Sequence, residues 1–154
     1  MSEENKKENK INIQIVTPYE LFYKGEIDEL IVPATDGEIG ILSGHTPLII
    51  ALNPGELRIK KNDETMYISV SSGYAQVEFD QAIVVVSAAE WPDKIDIKRA
   101  QHALERSMQR LKDPSTPARE IERSKRSLMR AKARLKVAEK GSKTLFERAD
   151  SLID

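Results

Sequence analysis

Arginine recurs at every fourth position in one segment of the chain, and this spacing is typical of an anion-binding surface. Arg126, Arg130 and Arg134 lie four residues apart, so in a helix their side chains share one face. Like charges placed in this way repel one another and destabilise an isolated helix. Because guanidinium groups bind carboxylates and phosphates through paired N–H groups, we expect an anionic partner to relieve this repulsion.

Residues that could act in catalysis are scarce. The 154-residue chain has no cysteine, which excludes disulfides, thiol catalysis and cysteine-ligated metals. It has two histidines, His45 and His102, and we interpret His45 as a structural residue of a loop. The phosphate-binding pattern G-x-x-x-x-G-K-[ST] and the nucleophile pattern G-x-S-x-G are both absent. We therefore expect no catalytic residues, no metal site and no catalytic cofactor.

The first half of the chain has the pattern of a β-sheet. Residues 11–15 alternate isoleucine with polar side chains, as a half-buried strand does. Residues 66–70 repeat this alternation, Val77 and Phe79 continue it, and residues 82–86 have the β-branched composition of a more deeply buried strand. Turn residues follow at short intervals, and this pattern predicts a β-sandwich or barrel.

After Pro92 the pattern becomes helical. The spacing predicts one helix over residues 96–112 and a second over 118–140, joined by a turn at 113–117. Two helices with so short a connection form an antiparallel hairpin. Its apolar stripe is narrow and rich in alanine, so we expect a hairpin of marginal stability that can leave its docked position. The fold class is α+β, an all-β N-terminal sandwich followed by an antiparallel two-helix hairpin.

The ends of these elements complete the predicted organisation. We expect Thr116 to cap the second helix, with Pro117 at its first position, and Gly141 to end it. The predicted regions are a disordered extension, a sandwich, a hairpin and a C-terminal tail, at residues 1–10, 11–92, 93–141 and 142–154. For the tail, a third short helix and a frayed end are both open interpretations.

Nothing in the sequence indicates insertion into a membrane. A transmembrane helix needs about 20 apolar residues, and the apolar stretches here, such as 48–52 and 82–86, are short. Residues 1–10 are polar and lack the apolar core of a signal peptide. We expect a cytosolic protein whose membrane contact is made through a partner.

The overall charge of −1 hides a strong asymmetry. Residues 1–93 contain 7 Lys and Arg against 16 Asp and Glu, a net charge of −9. Residues 94–154 contain 17 Lys and Arg against 9 Asp and Glu, a net charge of +8. This asymmetry indicates an anionic partner for the hairpin, whether nucleic acid, anionic lipid, nucleotide or an acidic protein surface. The alternative is a basic hairpin docked on its own acidic domain.

The strongest local motif is DGEIGILSGHTPL, residues 36–48. Its three glycines indicate tight turns, and its apolar residues either bury themselves or contact a partner. The segment resembles G-x-x-G-I-L-P-x-H-x-P-L of the epsilon subunits of F-type ATP synthases. Residues 71–90, SSGYAQVEFDQAIVVVSAAE, resemble the next signature of that family, and the order of domains is similar too. Ser43 replaces the usual proline, and Ser72 replaces the first glycine of the second signature.

This resemblance covers roughly residues 12–140 and implies a non-catalytic rotor subunit of the central stalk, which couples proton flow to ATP synthesis. It would be peripheral, at the cytoplasmic face of a bacterial cell membrane. The sandwich would bind the gamma subunit and the c-ring, and the hairpin would extend to the alpha and beta subunits and block ATP hydrolysis. The implied partner interface comprises Gly37, Gly40, Ile41, Leu42, Ser43 and His45. The implied inhibitory basic face comprises Arg119, Arg123, Arg126, Arg130 and Arg134.

A nucleotide site follows from the same resemblance. Residues 95–100, IDIKRA, match the family's ATP-binding motif [I/L]-D-x-x-R-A. Arg99 and Arg106 are seven apart, and in a hairpin they could meet Arg130 and Arg134 around one triphosphate. ATP, with or without Mg²⁺, would be a regulatory ligand that holds the hairpin folded. The implied nucleotide-binding set is Glu90, Ile95, Asp96, Arg99, Ala100, Arg106, Arg130 and Arg134.

Two alternatives stay open at this point. Asp96 could simply cap the first helix or pair with Arg99. The hairpin could be a basic module that binds nucleic acid or another anionic partner. It has no aromatic residue before Phe146, so base stacking is not supported, and we expect neither nucleic-acid binding nor membrane insertion.

Overall fold

The computed structural model describes residues 9–141, and within them ten strands precede two helices, as the predicted fold class requires. The predictions for the tail 142–154, and for most of the extension 1–10, lie outside the described residues. The strands are β1 (Ile11–Val16), β2 (Leu21–Ile27), β3 (Glu29–Ala34), β4 (Gly37–Ile41), β5 (Leu48–Leu52), β6 (Gly55–Lys61), β7 (Glu64–Val70), β8 (Gly73–Val77), β9 (Gln81–Val86) and β10 (Ala89–Glu90).

One hydrogen-bonded path connects the strands in the order β10-β7-β6-β3-β5-β8-β9-β1-β2, with β4 paired to β3. Neighbours pair antiparallel except β1 and β9, which run parallel. The path turns back on itself, so that β2, at one end, contacts β6. Side chains from both halves fill a single apolar core, which is the sandwich architecture that short strands with frequent turns predict.

The alternation of residues 11–15 correctly predicts β1, in which Ile11, Ile13 and Ile15 are at most 1% exposed. Two other strand predictions are wrong. Phe79 does not continue β8 but lies in the following turn with 68% of its surface exposed. In β9, Ile83 is 38% exposed, because the strand alternates between the core and an outer face that the described residues leave uncovered.

Helices α1 (Ile97–Lys112) and α2 (Ala118–Ala138) form the predicted antiparallel hairpin. A 3-10 turn at Pro92–Lys94 leads into α1. The carboxylate of Asp96 accepts a hydrogen bond from the Arg99 backbone N–H at 3.1 Å, which confirms the cap interpretation of Asp96.

Both end residues predicted for α2 are wrong. Thr116 does not cap the helix, because its hydroxyl donates instead to the Arg110 carbonyl at the end of α1. Pro117 takes the cap position, where it has no side chain that could accept a hydrogen bond. Gly141 is not a left-handed terminator, because positive φ angles among the described glycines occur at Gly37 and Gly44. Glu139 instead follows the helix with right-handed φ and ψ angles.

Small side chains let the two helices approach closely. Ala100 and Ser107 of α1, and Ser124 and Ala131 of α2, are at most 2% exposed. Helix α2 also packs across β6 and β7, so the C-terminal part of the hairpin covers one face of the sandwich. No helix among residues 9–141 is both long and apolar enough to cross a membrane.

Candidate functional site

A cleft of about 260 Å³ lies where the hairpin meets the sheet. Three residues of the predicted nucleotide-binding set line it, namely Glu90, Arg130 and Arg134. The sheet contributes one wall and the hairpin the other. The remaining lining residues are Ser69, Val70, Ser71, Ala88, Ala103, Ser127 and Ala131. Any occupant of this cleft therefore contacts both the sandwich and the hairpin.

Hydrogen bonds orient the two arginines of the cleft. The Nε atom of Arg134 donates to Glu90 Oε1 at 2.7 Å, and its Nη2 donates to Oε2 at 3.3 Å. The Nη2 atom of Arg130 donates to the Ser127 hydroxyl at 2.9 Å. Since a guanidinium carries five N–H donors, both arginines retain donors for an anion.

Hydrogen bonds of Ser71 fix the wall of the cleft that the sheet provides. The hydroxyl of Ser71 accepts from the Ala88 backbone N–H at 2.8 Å and lies 2.6 Å from the Ser87 hydroxyl. The short strand β10 pairs Glu90 with Ser69 of β7. These bonds fix the segment that carries Glu90, so its carboxylate is presented to α2 from a rigid support.

Arg99 and Arg106 lie elsewhere. With Asp96 they line a shallow depression of about 730 Å³ on the exposed side of α1, together with Lys98, His102, Glu105 and Gln109. The prediction placed all four arginines around one triphosphate. In the structure they line two separate depressions, because Arg130 and Arg134 are in the cleft and Arg99 and Arg106 are not. The physical reason is rotation about the helix axis, because seven residues return Arg106 to the face of Arg99 and not to the face that packs on α2.

Two members of the predicted set are buried. Ile95 is 8% exposed and Ala100 fully buried, and neither lines the cleft. Asp96 caps α1 and makes no ion pair with Arg99 among the described residues. In this structure the IDIKRA segment therefore forms the beginning of α1 and its contact with the core.

The predicted basic face is largely open to solvent. Arg119, Arg123, Arg126 and Arg130 are exposed, whereas Arg134 is half-buried by its contact with Glu90. No carboxylate of residues 9–141 lies within 4.0 Å of the four exposed guanidiniums. Docking of the basic hairpin on its own acidic domain accounts for the charge of Arg134. It does not account for the other four arginines, for which the anionic-partner interpretation stays open.

The predicted partner interface is partly strand. Gly37 and Gly40 lie exposed in β4, which pairs with β3. Ile41 is fully buried in the core, so its assignment to the interface is corrected, because Ile39 and Ile41 are on the side of β4 that packs against the core. The next residue, Leu42, is 55% exposed and starts a loop.

That loop is joined to the turn that carries Phe79. The Gly44 backbone N–H donates to the Phe79 carbonyl at 2.6 Å, and Gly44 has a φ of +89°. Ser43 and His45 are half-buried here, and the His45 ring donates from Nδ1 to the Thr46 carbonyl at 2.7 Å. Leu42 and Phe79 thus present two exposed apolar side chains at one end of the sandwich.

An apolar face on the neighbouring strands was not predicted from the sequence. Ile49, Tyr74 and Ile83 are 70%, 46% and 38% exposed. Their strands are adjacent, and Gln76 of β8 pairs with both Ile49 and Ile83. Alternation within β5, β8 and β9 could have identified this face, but the apolar run at 82–86 favoured burial on both sides.

A second set of charges was also missed. Arg58 of β6 donates twice to Glu38, at 3.0 and 2.6 Å, and once to Glu56 at 3.1 Å. Glu56 also accepts from Lys140 at 2.7 Å. The hydrogen bond from Arg58, with smaller contributions from Lys136 and Lys140, lowers the pKa of the Glu38 carboxyl below its ordinary value. The hydrogen bonds to Glu38 and Glu56 raise the pKa of Arg58.

Among the described residues, no group of three or more histidine, aspartate and glutamate side chains is arranged to hold a metal ion. Near the entry to the hairpin, Trp91 stacks on Phe22 with ring centroids 5.0 Å apart and meets Tyr23 edge-on at 6.2 Å. This aromatic cluster anchors the segment that leads into α1.

Two family models match consecutive parts of the chain. Residues 10–92 match the beta-sandwich domain of ATP synthase delta/epsilon chains, and residues 93–139 match the long alpha-helix domain of the same chains. The order of the two models, a beta-sandwich domain followed by a helical domain, agrees with the observed fold.

Relatives and solved structures agree with this match. An ATP synthase epsilon chain of Caldanaerobacter subterraneus subsp. tengcongensis is 40% identical over 130 residues, 84% of this chain and 94% of the relative. One of Staphylococcus aureus is 40% identical over 132 residues, 85% and 98% of the two chains. A chain of the Euglena gracilis mitochondrial ATP synthase shares the fold at a TM-score of 0.72 and 20% identity, covering 84% and 81%.

The fold and these matches define a delta/epsilon-type subunit. The chain belongs to the family of epsilon chains of F-type ATP synthases. It is a non-catalytic subunit of that complex. The predicted family and fold class are confirmed.

Proposed function

We propose that this epsilon chain is a central-stalk rotor component whose hairpin inhibits ATP hydrolysis, and that ATP bound in the cleft holds the hairpin on the sandwich. The observation that carries the proposal is the two-sided lining of the cleft. Glu90 comes from the sandwich, whereas Arg130 and Arg134 come from the hairpin. A ligand held by both sides favours the docked state to the extent that it binds that state better than the released one.

The charge of the cleft supports a phosphorylated ligand. Two arginines face a single carboxylate, so the three side chains carry a net positive charge. Phosphate oxygens could accept the guanidinium donors that Ser127 and Glu90 leave available. Arg99 and Arg106 line a separate depression in this structure, so their predicted contact with the triphosphate requires a rearrangement of α1.

The matched test compares two pairs of arginines on one helix. Arg130→Ala with Arg134→Ala removes the cleft guanidiniums, whereas Arg119→Ala with Arg123→Ala removes the same charge from outside the cleft. We expect calorimetric titration of ATP into the isolated chain to show binding in wild type and in the second variant, and none in the first. Unchanged binding in the first variant would refute the site.

The exposed arginines support the inhibitory part of the proposal. Released from the sandwich, Arg119, Arg123 and Arg126 could dock on an acidic surface of the alpha and beta subunits, because complementary charge favours association. Deleting residues 94–154 in the assembled complex should therefore raise the rate of ATP hydrolysis. An unchanged hydrolysis rate would contradict inhibition by the hairpin.

The apolar surfaces of the sandwich support docking within the rotor. We assign the face formed by Ile49, Tyr74 and Ile83 to the gamma subunit, and the end formed by Leu42 and Phe79 to the c-ring. Exposed apolar patches of this kind mark protein interfaces. The chain would then be peripheral, at the cytoplasmic face of a bacterial cell membrane. Pull-down of the gamma subunit should weaken with Ile49→Asp and persist with Thr65→Asp, because Thr65 lies on β7, which does not adjoin β5, β8 or β9.

A nucleic-acid-binding module remains an alternative explanation of the basic hairpin. Its helices contain no Phe, Trp or Tyr, so only phosphate contacts are available to it. A gel shift at physiological salt distinguishes the two functions, and we expect no retained complex.

A further inference from the structure

We propose that Glu56 is the anchor of an ionic latch, in which Lys140 and, more weakly, Lys136 hold the end of the hairpin on the sandwich without any nucleotide. The latch deepens the proposed function, since it rests on the hairpin being able to leave the sandwich. It assigns a regulatory role to residues outside both arginine-lined depressions.

The geometry places one buried carboxylate among three cations. The side chain of Glu56 is 2% exposed. Its Oε1 accepts from Arg58 Nη1 at 3.1 Å, and its Oε2 accepts from Lys140 Nζ at 2.7 Å. Lys136 Nζ lies 3.9 Å from Oε1. Two of these three cations belong to the hairpin, so they leave with it.

The other half of the network stays in the sandwich. Arg58 is bound through both Nη atoms to Glu38 of β4, so its guanidinium is fixed before the hairpin arrives. Tyr67, the partner of Arg58 across β6 and β7, places its ring centroid 4.0 Å from Lys140 Nζ. Lys140 therefore binds at a preformed site made of the Glu56 carboxylate and the face of the Tyr67 ring.

Burial makes the latch sensitive to the loss of one partner. A carboxylate that loses a cation while it stays buried bears an uncompensated desolvation cost. Release of the hairpin avoids this cost, because water reaches Glu56 once α2 has left. Removing Lys140 alone therefore penalises the docked state and spares the released state, which shifts the equilibrium toward release.

The latch and the cleft act on the same end of α2 through different carboxylates. Arg134 bonds Glu90, and Lys140, six residues later, bonds Glu56. An anion in the cleft competes for Arg134 and leaves the Glu56 contact intact. We therefore expect the latch and the ligand to contribute separately to docking. Because the side chain of Lys140 is 31% exposed, added salt should weaken the latch by screening.

The test measures docking in the full chain. It has no native cysteine, so Glu64→Cys on β7 and Gln109→Cys on α1 accept two dyes for single-molecule energy transfer. In this background Lys140→Gln should raise the ratio of released to docked molecules at least about tenfold. Glu56→Gln should raise it less, since the amide stays an acceptor without carrying charge. The double variant should not exceed the larger single effect by more than about twofold, as expected for coupled partners.

Lys125→Gln is the matched control, because Lys125 is another lysine of the hairpin and pairs with Glu122 within α2 and not with the sandwich. Its ratio should stay within about twofold of wild type. A Lys140→Gln ratio equally close to wild type would overturn the latch. If Glu56→Gln unfolds the sandwich, the Lys140→Gln variant still tests the latch, because Lys140 lies outside the strands and the core.

Repeating the measurement with saturating ATP separates the two proposals. A wild-type ratio that ATP does not change, with a raised ratio in Lys140→Gln, supports the latch and refutes the nucleotide function. A ratio that responds to ATP but not to Lys140→Gln refutes the latch and leaves the nucleotide function standing.

Discussion

Glu90 and Arg134 join the sheet to the second helix inside the cleft, with Nε–Oε1 and Nη2–Oε2 distances of 2.7 and 3.3 Å. The carboxylate occupies the guanidinium edge that an incoming phosphate would use. The chain thus supplies its own anion to the site, and a ligand either uses the donors that Glu90 leaves available or competes with Glu90 for Arg134. This arrangement keeps the hairpin positioned and Arg134 oriented without any ligand in the cleft.

Replacing Glu90 with Gln should loosen the docked hairpin. The variant weakens a paired, charge-assisted contact that is partly open to solvent, so the effect is modest. We expect amide hydrogen exchange in α2 to accelerate about two- to fivefold, as measured by mass spectrometry. Glu122→Gln, which breaks a pair within α2, is the control and should leave the sandwich contacts unchanged. Equal exchange in the two variants would contradict this role of Glu90.

The carboxyl of Glu38 should titrate below its ordinary value of 4.5, because Arg58 hydrogen-bonds its charged form. A pKa lowered by folding adds stability that is complete above the unfolded value and is lost as the pH falls through the folded value. Glu38→Gln should therefore lose less stability than wild type between about pH 5 and pH 3. Carbon-13 NMR gives the pKa, and Lys136→Gln with Lys140→Gln should raise it.

Phe22→Ala should expose Trp91, which directly precedes the 3-10 turn that leads into α1. Trp91 is the single tryptophan of the chain, and its ring stacks on Phe22. Loss of this stacked, half-buried ring should shift the emission of Trp91 to longer wavelength and lower the free energy of unfolding by about 2 kcal/mol. Phe79→Ala, at an exposed position, should leave the emission in place and the stability within about 0.5 kcal/mol.

Gly73→Ala should prevent correct pairing of β8 and β9. A Cβ atom at Gly73 would collide with the Val85 carbonyl oxygen and lie 2.8 Å from Val86 Cα, and backbone atoms in the sheet cannot move aside. At Gly40 the nearest atom to an added Cβ is Glu29 Oε1 at 3.6 Å, an ordinary contact. We therefore expect Gly40→Ala to keep the wild-type melting temperature within a few degrees and Gly73→Ala to yield little folded protein by circular dichroism.

The sequence predicted helices and strands correctly where one hydrophobic period, that of a strand or that of a helix, dominates the segment. The isoleucines of β1 and the start of α1 at its Asp96 cap agree with the structure. The prediction failed for Ile83 and Ile41, whose burial depends on which strand or partner covers them. It also failed for Thr116, whose hydroxyl bonds the end of the neighbouring helix. Such contacts are between elements, and a local period carries no information about them.

The candidate site was likewise predictable only in part from the sequence. Sequence spacing and resemblance supplied the whole arginine set, but spacing along one helix specifies only a shared face. The structure places Arg130 and Arg134 in the cleft with Glu90, and Arg99 and Arg106 on the exposed side of α1. Whether two faces meet depends on how the helices are rotated about their axes, and packing of their small residues determines that rotation.

By itself, the sequence determined the two-part architecture, the acidic sheet and basic hairpin, and the family. These properties follow from composition, period and short motifs, all of which are local. Only the tertiary structure decided that Glu56 is buried and that Lys140, 84 residues away, bonds it. Burial of a charge is a property of the packed layers, because the same glutamate at the end of an uncovered strand would remain in water.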